Sequence, residues 1–291
     1  MTTPALVVLA GGLGQRFGGP KQLSPVGPGG EVILDYSVSG ARAAGFGRVV
    51  IAVHSHIEEA MAVHIRRWWP PEVAADVIFA AQDHDGRSVE AARLGRTTPL
   101  GTAHAVLVAI EAAALVEPFA VVNADDLYGA EPYRLLFGHF TAGGEGALVS
   151  FEVAKTLLGP DPVNRALCEA DEHGWLRAIS EGVVARRGEH LEWTGSTGEH
   201  RTLAEDTPVS MNCWGFPPTI AVALDDAVGR FVASPEVVSR AEVLLPDVIE
   251  ALVAPPATSA FTTLATSDRC LGVTHAADLD RLRPLLRPIS W

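Results

Sequence analysis

The chain has 291 residues, 48% of them hydrophobic, with 28 glycines, 20 prolines and a formal net charge of −13. That is ample material for a large core. The charge argues against a broad nucleic-acid or anionic-membrane surface, so a phosphorylated ligand would have to be met by a few local cations. Three cysteines, far apart and odd in number, suggest neither a disulfide framework nor a clustered zinc site and fit a reducing cytoplasm. The first residues lack the basic start of a signal peptide, and the most apolar later stretch, 105–116, is too short for a bilayer.

Taken in chain order, short apolar runs alternate with helical patterns. Residues 6–9 (LVVL), 49–53 (VVIAV), 77–80 (VIFA), 119–122 (FAVV) and 147–151 (ALVSF) read as strands buried on both faces. Between them lie helical stretches at 33–44, at 56–69, where Ile57, Met61, His64, Ile65 and Trp68 keep helical spacing, and at 102–115. Pro70 and Pro71 stop the second of these. This order predicts an α/β fold with a mixed, mostly parallel sheet, whose ligands bind beyond the carboxyl ends of the strands. After about Gly143 the pattern changes. Residues 165–168 and 175–179 read as a hairpin, 186–201 as a polar loop or lid, 209–216 as a strand and 243–252 as a helix, with a last strand and helix after Pro255-Pro256. Neither a repeat nor a long linker is visible, which favours one continuous domain.

The first strand runs into Gly11, Gly12 and Gly14, followed by Arg16, Gly18, Gly19 and Lys21. A dinucleotide fingerprint fails because Phe17 stands where the third glycine belongs. A Walker loop fails because Gly19-Pro20-Lys21-Gln22 replaces Gly-Lys-Ser/Thr. Backbone N–H groups at such glycines can form an anion nest, with Arg16 as a fork and Lys21 as a point charge for phosphates. A flexible turn carrying two surface cations accounts for the loop equally well on its own. Further on, Asp125 and Asp126 follow the 119–122 strand, where two carboxylates suit Mg²⁺ or form an ordinary Asx turn.

These segments occur together. LAGGLGQRFGGPKQL, GTAHAV (101–106) and VVNADDLYG (121–129), followed by NRALCEADEHGWLRAISE (164–181), VSMNCWGF (209–216) and LGVTHAAD (271–278), resemble the bacterial sugar-1-phosphate nucleotidylyltransferases, or NDP-sugar pyrophosphorylases, over nearly the whole chain. The resemblance implies a Rossmann-like three-layer αβα fold of glycosyltransferase-A type. It would form a single domain, with a nucleotide-binding half at about 1–143 and a sugar-binding half at about 144–291. The reaction implied is transfer of a nucleotidyl group from an NTP to a sugar-1-phosphate, or to a related phosphate such as that of a cyclitol, with release of pyrophosphate and with Mg²⁺ as cofactor.

By the same resemblance, Arg16 and Lys21 are catalytic. Leu9, Ala10, Gly11, Gly12, Gly14, Gln82, Gly101 and Thr102 hold the nucleotide. Asn123, Glu181, Asn212 and Trp214 hold the sugar, and Asp125 and Asp278 hold the metal, with Asp268 as the other choice for the second carboxylate. Asp126 would cap the following turn, and a core role suits Trp214 as well as a sugar-facing one. Two departures stand out. Thr98 sits where related sequences often carry Lys, and Gly182, Val183 and Val184 follow Glu181 where a basic residue for the sugar phosphate is common. Arg186, Arg187, Lys155 and Arg165 are the candidates to replace that residue. The rival readings are a glycosyltransferase of the same fold and a nucleotide-sugar sensor without turnover. The sequence does not identify the base, the sugar or the oligomeric state, and a cytoplasmic location is expected.

Overall fold

A computed structural model of the protein describes residues 2–12, 21–238, 241–254, 261–273 and 276–291. The elements of the first half are β1 (Ala5–Ala10), α1 (Ile33–Ala44), β2 (Val49–Val53), α2 (Ser55–Trp68), α3 (Pro71–Ala74), β3 (Val77–Ala81), α4 (Gly86–Arg93), α5 (Thr102–Ala113), β4 (Phe119–Asn123), β5 (Asp126–Leu127) and α6 (Glu131–Thr141). The second half comprises β6 (Gly146–Glu152), β7 (Val163–Ala170), β8 (Leu176–Arg187), β9 (His190–Gly195), β10 (His200–Leu203), β11 (Pro208–Phe216), α7 (Ile220–Val232), α8 (Pro235–Val238), α9 (Leu245–Val253), β12 (Phe261–Thr266), β13 (Leu271–Gly272) and α10 (Ala276–Leu282).

Eleven strands form one sheet. Its central block runs β3-β2-β1-β4-β11-β6-β12. The pairs β3-β2, β2-β1, β1-β4 and β6-β12 are parallel, while β11 opposes both neighbours, so six of these seven strands point the same way. This is the expected Rossmann-like, mixed and mostly parallel sheet. The alternation of strand side chains explains the layers. Ala5, Val7 and Leu9 of β1 face a core shared with α5, α7 and α9. Leu6, Val8 and Ala10 face a second core shared with α1, α2 and α6. Both faces are covered, which is why β1 and β2 are apolar throughout.

Helix boundaries have local causes. Asp35 accepts a hydrogen bond from Val32 N at the start of α1 (2.8 Å), and Gly45 closes that helix at φ +113°. Pro70 and Pro71 follow the end of α2, as the sequence predicts, and Pro71 opens α3.

The expected loop or lid at 186–201 is instead sheet. Strand β8 continues to Arg187, and β9 and β10 add two antiparallel strands. The reason lies in the alternation Leu191, Trp193, Gly195, which is buried, against His190, Glu192 and Thr194, which are less so, with turns at Gly188 (φ +63°) and Gly198 (φ +90°). The polar outer face of this ribbon disguised it. The sequence reading also passed over α4, α6 and α7.

Strand β11 positions the site. Its first half, at Val209 and Ser210, lies between β6 and β7, whereas its second half, from Trp214 to Phe216, lies between β6 and β4. The register shifts between Ser210 and Trp214, and within that shift Asn212 takes the left-handed conformation at φ +56°. The sheet therefore splits at Asn212, and the carboxyl end of β4 opens into the split.

Candidate active site

Strands β1 and β4 are neighbours in register, Leu9 opposite Asn123. The chain leaving β1 (Ala10, Gly11, Gly12) and the chain leaving β4 (Ala124, Asp125, Asp126) therefore emerge side by side. Lys21, in the short 3-10 turn Lys21–Leu23, reaches across to Asp125, with Nζ 2.6 Å from Oδ2. The Lys21 side chain is 16% exposed and that of Asp125 39%, so the pair sits at the floor of an open surface rather than inside the core.

The neighbouring carboxylate is different. Asp126 is buried, accepts a hydrogen bond from Asn123 Nδ2 (2.8 Å) and lies 3.4 Å from the Tyr128 hydroxyl. Burial, and then the charge of Asp125, raises its carboxyl above the ordinary range against the opposing pull of Asn123, Arg165 and Lys21. The expected turn-capping role for Asp126 does not hold: it belongs to a two-stranded ladder in which β13 pairs with β5, Gly272 opposite Asp126. Val273 N also donates to the carbonyl of Asp125 (3.0 Å). The late block 271–273 thus fixes the backbone of both aspartates, a long-range contact that residue types alone do not signal.

Gln22 is a further site residue that sequence reasoning missed. Its side-chain amide donates to the carbonyls of Ala10 (3.2 Å) and Gly12 (2.6 Å), pinning the chain as it leaves β1. The signal available was its place directly after Lys21. Gly14 and Arg16 lie outside the described residues.

On the other side of β1, Gln82 follows β3 and is only 4% exposed. Its backbone is held at both ends, Gln82 N donating to Val53 O (2.9 Å) and Ser88 Oγ donating to Gln82 O (2.5 Å). Its side-chain amide lies so close to Gly11 that any side chain there would collide with it. A cavity of about 160 Å³ adjoins Gln82, lined also by His54, Ser88, Arg96, Thr98 and Leu100.

Gly101 begins α5 at φ +130°, against the backbone of Val243. Thr102 accepts a hydrogen bond from Leu245 N (2.8 Å), so it ties α5 to the start of α9. His104, in the first turn of α5, is fully buried with Nε2 3.1 Å from Asp85.

Toward the second half, Glu181 on β8 is half-buried. Burial raises its carboxyl, Asp247 in the first turn of α9 raises it further, and Arg165 opposes both. Asn212 accepts a hydrogen bond from Trp214 Nε1 (3.2 Å). Trp214 is fully buried, stacked on Phe216 (5.8 Å) and edge-on to Phe261, which makes it a core residue that supports Asn212.

Asp278, buried in the first turn of α10, pairs with Arg281 (3.2 Å). Asp268 is engaged elsewhere, accepting from Glu131 N (2.8 Å). Among the described residues, no group of three or more His, Cys, Asp or Glu side chains is gathered for a metal. Asp125 alone fits a hard cation, by its oxygen donors and its exposure at a strand end.

A mostly parallel sheet with Lys21 drawn to Asp125 beyond the end of β4 is an α/β architecture of the kind that binds ligands outside the carboxyl ends of its strands. The chain belongs to the MobA-like NTP transferase domain family, whose model matches residues 6–191.

Solved structures of similar fold include a UTP-bound UGPase from Acinetobacter baumannii, at 16% identity over 98% of this chain and 93% of that one, with a TM-score of 0.59. A UDP-glucose pyrophosphorylase complexed with UDP-glucose is also 16% identical, over 97% of each chain, with a TM-score of 0.58. At such identities the likeness establishes the fold. No curated protein matches by sequence. Among the described residues, no helix is long and apolar enough to cross a membrane.

Proposed function

We propose that the protein transfers a nucleotidyl group from an NTP to a sugar-1-phosphate, or to a sugar-like phosphate, with release of pyrophosphate. The observation that carries this reading is the Lys21–Asp125 pair at 2.6 Å, next to Gln22, which bonds the glycine backbone that follows β1. A cation that reaches a carboxylate just beyond the end of β4, close to the glycine backbone that follows β1, suits in-line displacement at an α-phosphorus.

The acceptor phosphate is already anionic, so neither a general base nor a covalent protein intermediate is required. Catalysis is then positioning plus stabilisation of charge. Gln22 fixes the exit of β1, and β13 fixes the backbone of Asp125 and Asp126. Lys21 neutralises phosphoryl charge, and Arg16 is assigned to the triphosphate tail. The Gln82 amide, beside Gly11, is assigned to an edge of the base, and Glu181 to the sugar hydroxyls, as acceptor. Magnesium, when bound, would reduce repulsion between the two phosphates, with Asp125 as its ligand, whereas Asp278, buried and paired with Arg281, does not fit the role of second ligand.

The neighbours that bind UTP and UDP-glucose support a sugar-nucleotide reading. The test is pyrophosphate release in the presence of Mg²⁺ across a grid of NTPs and sugar-1-phosphates. Release that requires one of each is expected. No release from folded protein that still binds a nucleotide would favour a sensor instead.

A further inference from the structure

The proposed reaction brings a second phosphate, that of the acceptor, up to the NTP. That group is a dianion and needs a cation of its own, distinct from the residues assigned to the triphosphate. The position next to Glu181 cannot supply one. Gly182 lies against the ring of Trp193, and a Cβ there would collide with the indole and stand 2.6 Å from the carbonyl oxygen of Thr194.

Directly across the β7–β8 ladder from Gly182 stands Arg165. The same indole that closes position 182 donates its N–H to the carbonyl of Arg165 (3.2 Å). One residue further on, Ala166 pairs with Ser210 of β11, just before the split at Asn212.

The Arg165 side chain is held in place. Nε donates to Thr156 Oγ1 (2.8 Å), Nη2 to Thr156 O (2.6 Å) and Nη1 to Asn164 O (2.6 Å). A guanidinium has five N–H donors. These three bonds leave one on each terminal nitrogen, a fork that matches a phosphate. Its positive charge acts on Asp126 and on Glu181.

Of the other candidates, Lys155 pairs with Glu152 (2.9 Å), and Arg186 and Arg187 lie exposed at the end of β8, Arg186 3.9 Å from Glu205.

We propose that Arg165, on β7, binds the acceptor's phosphate group, since Trp193 closes the space for any side chain at Gly182 directly across the ladder. This rests on the proposed transferase reading. A rival role for Arg165, as a purely structural counter-ion to buried Asp126, makes a different kinetic prediction.

The test is steady-state kinetics of wild type, Arg165→Met and Arg165→Lys. In Arg165→Met, KM for the sugar-1-phosphate should rise about 10- to 100-fold, the loss expected for a charge-assisted hydrogen-bonded pair, with KM for the NTP within about 2-fold of wild type. Arg165→Lys should recover part of that loss. Should Arg165→Met fail to fold, Arg165→Lys carries the same comparison of the two KM values. An unchanged acceptor KM, or equal rises in both KM values, overturns the assignment.

If wild type releases no pyrophosphate with any pair, the transferase reading fails, and Arg165 is tested separately by calorimetry with glucose 1-phosphate alone. Binding by wild type that is lost in Arg165→Met supports the site. Equal binding, or no binding by wild type, overturns it.

Discussion

Gly101→Ala is the substitution whose consequence follows most directly from the structure. Gly101 has φ +130° and ψ −179°, a region of backbone space used essentially by glycine, and an alanine there carries strain of about 1–3 kcal/mol. The added methyl would collide with the carbonyl oxygen of Val243 and stand 2.8 Å from its amide nitrogen. Val243 cannot move freely, because its N–H donates to Leu100 O (2.8 Å) and its carbonyl accepts from Ala103 N (3.1 Å). Relieving the clash breaks both, at about 1 kcal/mol each. The sum is about 3–5 kcal/mol, and at the roughly 2–4 °C per kcal/mol typical of chains a little shorter than this one, the melting point should fall by about 6–20 °C. Calorimetry and urea unfolding measure this directly. A loss of less than about 0.5 kcal/mol, the range of an ordinary surface change, would refute the reasoning.

Other expectations follow from the same geometry. Lys21→Met removes the charge 2.6 Å from Asp125 and should lower kcat for pyrophosphate release by about 10²–10³-fold, while Asp125→Ala should abolish turnover with the fold intact; wild-type rates in either variant would remove that residue from the chemistry. Trp193→Ala removes a fully buried indole and should cost about 3–5 kcal/mol in urea unfolding, whereas a loss under 1 kcal/mol would mean that the ribbon collapses around the gap. Burial would raise the Asp85 carboxyl, but His104, whose Nε2 lies 3.1 Å away, and the hydrogen bond from Ser88 N (2.9 Å) outweigh it and hold it well below its usual range. Asp85 therefore binds fewer protons folded than unfolded, and its stabilisation is full above the unfolded value of about 3.9 and fades as pH falls. Asp85→Asn should accordingly destabilise more at pH 7 than at pH 3, and equal losses at the two values would contradict this.

The parallel half of the fold was legible because strands buried on both faces leave continuous apolar runs. All five predicted strands match observed ones to within about two residues, the boundary error expected of such readings. The ribbon of β9 and β10 was hidden because it is polar on one face, so its signal is alternation over only a few residues. Helix α4 was hidden because it is short and mostly polar, and only its Asp85 cap announces it. In the site, Asp125, Lys21 and Gln82 could be picked out because a strand end, a glycine run and a family resemblance coincide there. The contacts that hold them came from elsewhere in the chain. The 271–273 segment docks on Asp125 and Asp126, and nothing in LGV marks it as their partner until the fold pairs them. Trp214 shows the opposite limit, since a tryptophan beside an asparagine reads as pocket or as core, and only its packing on Phe216 and Phe261 decides for core.

The same contacts explain why the two halves of the site form one unit. Arg96, 8% exposed, sends its guanidinium to the carbonyls of Thr98 and Pro99 on one side and of Val238 and Ala241 on the other. Val243 is bonded to Leu100 and Ala103, and Leu245 to Thr102. The loop that leads to Gly101, assigned to the base, is thereby fastened to the first turn of α9, whose Asp247 acts on Glu181, assigned to the sugar. A shift of either segment must break hydrogen bonds to the other. Ordering the loop around a nucleotide would therefore also order the acceptor side, so binding of one substrate should tighten binding of the other, and by linkage the effect must be reciprocal. Arg96→Met, which cuts the longest of these ties, should reduce that mutual enhancement. Calorimetric titration of the nucleotide with and without glucose 1-phosphate measures the coupling, and an undiminished ratio in Arg96→Met would show that it travels by another route.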